Sequence, residues 1–238
     1  VLRHAILRTV FVDNKTQNAV QVVLKNVPSV FKIDDWSVPS DKSTENTLEH
    51  YLKADLAEPF KLSEQSPVRV KLIKLTEQCW HLVWSFHHIL LDGWSVGVLM
   101  DEMTQIYQAL AHNQQAELPV SPPFSHYLQW LKQQDTQVAI QFWQRYAEGY
   151  SELACLPKVV GKQAKQGEIK QPLPVALPEE LQQTARHYKV TVSALIQAAW
   201  GVLLGRYNDR HDVMFATVVS GRPSEIAHID QMVGLLIN

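Results

Sequence analysis

The sequence predicts an α/β protein, an α+β sandwich arranged as two lobes, and three observations carry that expectation. Strand-like runs such as Val68–Leu75 and Trp80–Phe86 are interleaved with helical apolar spacings such as Leu48, Tyr51, Leu52 and Leu56, and both halves of the chain mix the two in the same way. Between the halves, Asn113–Phe124 is polar and then rich in proline (Pro119, Pro122, Pro123), the composition of a linker. The chain has 238 residues, 46% of them hydrophobic, enough to bury one large core or two moderate ones. The expected lobes are residues 1–118 and 119–238.

Taken in order, Val1–Leu7 has apolar residues at helical spacing and feeds Thr9–Val12, which is β-branched and aromatic, so a helix end leads into a strand. Asp13–Asn18 is turn material, and Ala19–Leu24 is the return strand of a hairpin. Phe31–Trp36 adds a short edge strand bracketed by Pro28 and Pro39. Thr47–Leu56 is an amphipathic helix whose apolar face is Leu48, Tyr51, Leu52 and Leu56. Val68–Leu75 alternates in character, whereas Trp80–Phe86 reads as a strand buried on both faces; together they predict an antiparallel hairpin ending at two histidines. A helix with Ser95 as N-cap then runs to about Ala111.

In the second half, Ser125–Tyr150 is helical with a break at Asp135-Thr136, and Lys158–Lys170 reads as exposed loop. Pro178–Tyr188 opens with proline and two glutamates, a favourable first helical turn. Ser193–Tyr207 is apolar nearly all round and is expected as a central buried helix. Val213–Val219 and Met232–Ile237 are expected strands, joined through a turn at Ser220-Gly221-Arg222-Pro223.

The net charge of −2 and the sequence pI near 6.6, with cations scattered among acids, leave no basic stripe for a nucleic acid or an anionic membrane, so neither partner is expected. No apolar run reaches the roughly 18 residues of a membrane span, and the N-terminus lacks a signal-peptide core. Cys79 and Cys155 match no metal or disulfide spacing and read as ordinary thiols of a reducing compartment; a cytoplasmic protein without a metal is expected. The chain opens without methionine inside what reads as a helix end, which suggests an excised piece of a longer protein.

The stretch Trp84–Ser95, WSFHHILLDGWS, carries the chemistry. On a strand neighbouring side chains face opposite ways, so His87 and His88 are not expected to look into one cavity: one does chemistry while the other packs. An imidazole is the usual general base near neutral pH, and a helix N-terminus beside it favours developing negative charge, which suggests acyl or proton transfer. From these residues alone two other readings stay open. The pair can be packed and hydrogen-bonded, or it can bind a metal with Asp92, although the offset suits a helix face better than a strand end.

Several ordered segments resemble the condensation domains of nonribosomal peptide synthetases, which have a chloramphenicol acetyltransferase-like fold. His87–Gly93 matches the signature HHxxxDG and is followed by Trp94-Ser95, typical of condensation domains. Arg3–Phe11 resembles RHExLRTxF with Ala5 in place of glutamate, Tyr127–Trp130 partly matches a third motif, and Val233–Asn238 resembles the start of VGxFVNT with Leu236 in place of the aromatic. The family's domain is nearly twice this long, which implies a first lobe lacking its initial elements followed by the beginning of a truncated second.

The resemblance implies that His88 is catalytic: it accepts a proton from, or orients, the α-amine of an aminoacyl thioester attacking an upstream peptidyl thioester. It implies a structural role for His87. Asp92 becomes the buried ion-pair partner of an arginine in the upstream motif, Arg8 first and Arg3 second, although a second acid or base stays open. Gly93 is expected to be a turn residue without Cβ beside which substrate passes. Trp94, Ser95 and Arg222 are channel candidates, with core packing the alternative for Trp94 and a solvated turn for Arg222. No cofactor is expected to bind directly; 4'-phosphopantetheine arrives on upstream and downstream peptidyl carrier domains, with an adenylation domain in cis. The rivals are an epimerization domain, disfavoured by Trp94-Ser95-Val96, and a stand-alone acyltransferase using a coenzyme A thioester. Heterocyclisation is disfavoured by the intact histidine pair, and a non-catalytic recruitment module by the intact motif.

Overall fold

The computed structural model describes residues 1–14, 18–27, 30–37, 44–150, 154–156 and 170–237. The β-branched runs at the start form a hairpin in which β1 (Thr9–Asn14) pairs antiparallel with β2 (Asn18–Val23), Val10 opposite Val22. A 3-10 turn, Ala5–Arg8, stands where the α-helix end was expected and buries Ile6 and Leu7. β3 (Phe31–Asp35) lies parallel to β4 (Val68–Lys74), and β4 pairs antiparallel with β5 (Trp80–Phe86), giving the order β3-β4-β5. A parallel pair needs a long crossover, and α1 (Thr44–Ala57) occupies it. The β4–β5 register places Val68 opposite Phe86, so the strand that ends at the histidines is fixed by a strand rooted in the core.

The helices that follow are α2 (Gly93–Ala111), α3 (Phe124–Lys132), α4 (Thr136–Tyr146), α5 (Leu177–Tyr188) and α6 (Val192–Asn208). The break between α3 and α4 falls at the expected place because the Asp135 carboxylate accepts from the N–H groups of Gln137 and Val138 and starts a new helix. The chain divides into two compact units, Val1–Gln134 with Val218–Asn238, and Asp135–Thr217. The 118/119 boundary falls inside the first of these. Arg3 donates to the Pro119 carbonyl, Ser121 Oγ donates to the Gln231 carbonyl at 2.7 Å, and Phe124 belongs to the core. Proline-rich composition reports missing ladder hydrogen bonds, not missing packing.

The core of the first unit gathers Ile6, Leu7, Val68, Leu90, Leu91, Phe124, Tyr127, Met232, Val233 and Leu236. These come from the 3-10 turn, β4, the loop before α2, α3 and the extended segment Met232–Leu236. In the second unit α5 ends on Lys189 in the left-handed conformation, and α6 restarts at Thr191, whose hydroxyl accepts from the Ala194 N–H at 3.1 Å. Asn208 exchanges two hydrogen bonds with the backbone of Cys155, and Tyr150 accepts from the Met214 N–H.

Four expectations about burial and strands need correction. β5 is an edge strand rather than one buried on both faces: Trp80 and Leu82 are 43% and 42% exposed, and no described strand pairs with its other edge. The apolar face of α1 is only partly covered, with Leu56 87% exposed. Within its unit α6 buries only Leu204 and Gly205, because α5 and the Val213–Phe215 stretch cover one side of a helix that is apolar on all of them. Among the described residues Val213–Val219 and Met232–Ile237 form no ladder, and Ile237 makes an isolated bridge to Ser220, since β propensity without a neighbouring strand cannot make a sheet. The middle of the Asp13–Asn18 turn, Pro28, Pro39 and residues 158–169 lie outside the described residues. Among those described, no single helix is long and apolar enough to cross a membrane.

Gly234 tests how tightly the Met232–Leu236 segment is held. A Cβ there would overlap the Phe124 ring, and its N–H and carbonyl are both engaged by Ser95. Gly234→Ala is expected to lower stability by about 1–3 kcal/mol, the usual cost of overpacking a filled core, measured as a shift of the urea unfolding midpoint.

Candidate functional site

The strand alternation stops at Phe86. The His87 N–H donates to the Pro67 carbonyl at 3.0 Å, and the chain then turns tightly through His88–Leu90, closed by the Leu90 N–H on the His87 carbonyl at 3.0 Å. His87 and His88 are therefore not consecutive strand residues, and both exposed rings border one recess of about 740 Å3. This corrects the expectation that the two face different surroundings. His87 Nδ1 accepts from the Ile89 N–H at 3.1 Å, which leaves Nε2 as the protonated nitrogen, and the ring meets the Phe60 ring edge-on at 6.3 Å. His87 thus supports the turn. The His88 imidazole is exposed, has no hydrogen-bond partner among the described residues, and belongs to a residue that borders the recess.

Beneath the turn the chain is locked. Leu90 and Leu91 are fully buried, and Asp92, 3% exposed, caps α2 by accepting from the Ser95 N–H at 2.7 Å. Its other oxygen accepts from the Leu236 N–H at 3.0 Å, and Arg222 Nη2 lies 3.2 Å from Oδ1 and 3.4 Å from Oδ2. Arg222 also donates to the carbonyls of Ile229 and Met232 at 2.7 and 2.8 Å. The partner of Asp92 is therefore Arg222, not Arg8 or Arg3. Arg8 donates to the Leu24 carbonyl at 2.6 Å, and Arg3 pairs with Glu102 at 2.9 Å. The resemblance pointed to the upstream arginines; the fold brings in one from 130 residues away.

Burial alone would push the Asp92 carboxyl up, but hydrogen bonds from Ser95 and the Leu236 N–H, with the Arg222 charge, hold it below the ordinary carboxylate value. Two further expectations change here. Ser95 is neither the N-cap nor a channel residue: it is fully buried, and its hydroxyl donates to the Gly234 carbonyl while accepting from the Gly234 N–H and Arg222. Gly93 opens α2 in a conformation open to any residue, and a Cβ there would meet no atom within 4 Å, so the turn itself does not require glycine. Trp94 is 58% exposed; its indole N–H donates to the Asp230 carbonyl at 2.8 Å, and the Arg222 guanidinium lies 5.6 Å from its ring centroid. Arg222 is accordingly a buried lock rather than a solvated turn residue.

A second buried polar cluster went unnoticed in the sequence. Glu102, one face of α2 below Ser95, takes Arg3 on one oxygen and His4 Nε2 on the other at 2.6 Å, while His4 Nδ1 lies 3.4 Å from Ser121 Oγ. The available signal was an acid, Glu102, seven residues after Ser95 and so on the same face of an apolar helix, next to Asp101 on another face. Both clusters tie α2 to segments distant in sequence. Among the described residues no three His, Cys, Asp or Glu side chains are gathered as metal ligands.

Solved structures share the fold: the first condensation domain of the calcium-dependent antibiotic synthetase, in complex with substrate analogue 2a, matches with a TM-score of 0.76 at 18% identity over 99% of this chain and 56% of that one. The X-domain from teicoplanin biosynthesis matches with a TM-score of 0.77 at 23% identity over 99% and 53%. The class is therefore the chloramphenicol acetyltransferase-like α/β fold. The condensation-domain family model matches residues 1–238, and the chain belongs to that family. Tyrocidine synthase 2 of Brevibacillus parabrevis is 37% identical over 244 residues, covering all of this chain and 7% of the synthase. Surfactin synthase subunit 3 of Bacillus subtilis (strain 168) is 35% identical over 241 residues, covering 99% and 19%. The chain thus spans about half of the solved domains and a small part of these synthases.

Two measurements test the locks. Asp92→Asn leaves Arg222 buried without its counter-charge and is expected to cost about 3–5 kcal/mol of stability in urea unfolding. Because the folded value of Asp92 lies below its unfolded value of about 3.9, its contribution is present above about pH 4 and is lost as pH falls through the folded value; Asp92→Asn should lack that acid-side loss. Glu102→Ala, which strands buried His4, is expected to cost about 3 kcal/mol, with Glu102→Gln recovering part of it.

Proposed function

We propose that this chain supplies the histidine-bearing part of a condensation domain that joins carrier-bound aminoacyl and peptidyl thioesters by a peptide bond. The observation that supports this reading most is the His88 imidazole. It is exposed, unpartnered among the described residues, and presented to a recess by a turn immobilised from below. In the proposed step the α-amine of the acceptor attacks the donor carbonyl, a C–N bond forms, the C–S bond breaks, and the proton lost from nitrogen accompanies the departing thiol. An α-amine with a pKa near 8 is already partly neutral at pH 7, so the main task of His88 is to orient the nitrogen and relieve its charge in the tetrahedral intermediate. His87 and Asp92 hold the turn and do not touch the reacting atoms.

On this reading the chain contains the first lobe of the domain, less its initial elements, and the beginning of the second. Its partners are upstream and downstream peptidyl carrier domains, which bring the 4'-phosphopantetheine arms, and an adenylation domain in cis. The setting is the cytoplasm, where the exposed thiols of Cys79 and Cys155 stay reduced. Trp94-Ser95-Val96 after the glycine favours condensation over epimerization by the same imidazole.

The test uses a domain-length protein containing this chain with two loaded carrier proteins. His88→Ala is expected to lower dipeptide formation by about 100-fold or more, while its exposed position keeps the unfolding midpoint of the variant within about 0.5 kcal/mol of the parent. Undiminished dipeptide formation removes His88 from the mechanism. Inversion of the α-carbon with one loaded carrier and no dipeptide with two would assign epimerization instead.

A further inference from the structure

Four consecutive carbonyls, from Ile229 to Met232, are each taken by a side chain from elsewhere in the chain. Arg222 Nη1 donates to those of Ile229 and Met232 at 2.7 and 2.8 Å, the Trp94 indole N–H to that of Asp230 at 2.8 Å, and Ser121 Oγ to that of Gln231 at 2.7 Å. The 3-10 turn Ile229–Gln231 is too short to satisfy its own carbonyls, so these donors fix it. Trp94 differs from the other two. The Arg222 side chain is buried and Ser121 half-buried, whereas Trp94 is more than half exposed and stands in the first turn of α2, two residues after Asp92. An exposed tryptophan held by a hydrogen bond gives up rotamer freedom that core packing does not explain. The guanidinium beside it does. Arginine carries five N–H donors. Those of Nη1 go to the two carbonyls, Nη2 donates to Asp92 and, at 3.0 Å, to Ser95 Oγ, and the buried Nε has no hydrogen-bond partner among the described residues. A buried donor on a charged group is costly to leave over. The electron-rich face of Trp94 answers it: the guanidinium carbon lies 5.6 Å from the ring centroid, inside the cation–π range of about 6 Å. Burial draws the Arg222 guanidinium below its ordinary value and the charge of Asp92 opposes this, so a contact that favours the cation strengthens the pair.

We infer that Trp94 is a positioning residue for His88: its indole, pinned on the Asp230 carbonyl, offers its face to the spare N–H of Arg222 and thereby holds the Asp92–Arg222 pair, and with it the histidine turn, in one setting. The inference rests on the reading of His88 above. Trp94 touches no reacting atom; it acts through Arg222 and then Asp92, four residues after His88. Without the aromatic face the guanidinium is free to turn its Nε toward water, the Asp92 carboxylate follows, and the imidazole loses the fixed direction on which its orienting role depends.

The experiment uses a domain-length protein containing this chain with two loaded carrier proteins. Trp94→Leu is expected to lower kcat for dipeptide formation about tenfold while KM for either loaded carrier changes by less than about twofold. Trp94→Phe, which keeps an aromatic face, is expected to return kcat to within about threefold of the parent. With ring-labelled histidine, the single NMR signal of His88 in the parent is expected to broaden or split in Trp94→Leu and to be single again in Trp94→Phe. An unchanged kcat in Trp94→Leu overturns the inference, as does a raised KM with kcat kept, which makes Trp94 a lining residue of the substrate path. Equal losses in the two variants, or a Trp94→Leu protein that does not fold, overturn it as well. His88→Ala in the same assay separates the two claims. If it is inactive and Trp94→Leu is unaffected, only the inference falls; if it is fully active, the reading of His88 falls and takes the inference with it.

Discussion

The site depends on the buried ion pair between Asp92 and Arg222. Its worth lies less in Coulomb energy, which desolvation of both groups largely offsets, than in the geometry it imposes once every lone pair is used. Asp92 caps α2, binds the Leu236 N–H and takes Arg222, while Arg222 reaches on to the carbonyls of Ile229 and Met232. One carboxylate thereby joins the loop after the histidines, the start of α2 and the extended segment at the end of the first unit. That segment has no ladder to hold it, so the pair does for it what strand pairing does for β4 and β5.

Immobility below the turn explains freedom above it. Leu90 and Leu91 point into the core and Asp92 into the lock, so the backbone at His88 is set without using the His88 side chain. His87 spends one nitrogen on the turn itself, and among the described residues His88 spends neither. A group meant to meet a substrate gains from such an arrangement, because its position is determined by neighbours that a substrate does not disturb. The Glu102, His4 and Arg3 cluster repeats the principle further along α2, pinning the helix to the entry of β1 and, through Ser121, to Gln231.

Much of the layout was legible before any coordinates. The β1–β2 hairpin, the β4–β5 hairpin, the break before α4 and the presence of α2 all follow from periodicity and turn chemistry, which are local, whereas the cap of α2 is Asp92 and not the expected Ser95. Judgements of burial fared less well. Trp80–Phe86 and α6 are apolar enough for an interior, yet hydrophobicity states an affinity for cover and not whether cover exists nearby. Ser95 shows the reverse error: a polar residue beside the motif reads as an N-cap or a channel residue, and it is fully buried because Gly234 and Arg222 satisfy its hydroxyl.

The amino-acid sequence by itself determined the family and the mixed α/β character, since motif residues and short-range periodicity need no tertiary information. Only the tertiary structure decided which arginine neutralises Asp92 and that both histidines border one recess. Each of these turns on contacts between residues far apart in the chain, where a charge finds its partner by fold topology and no local pattern records the choice.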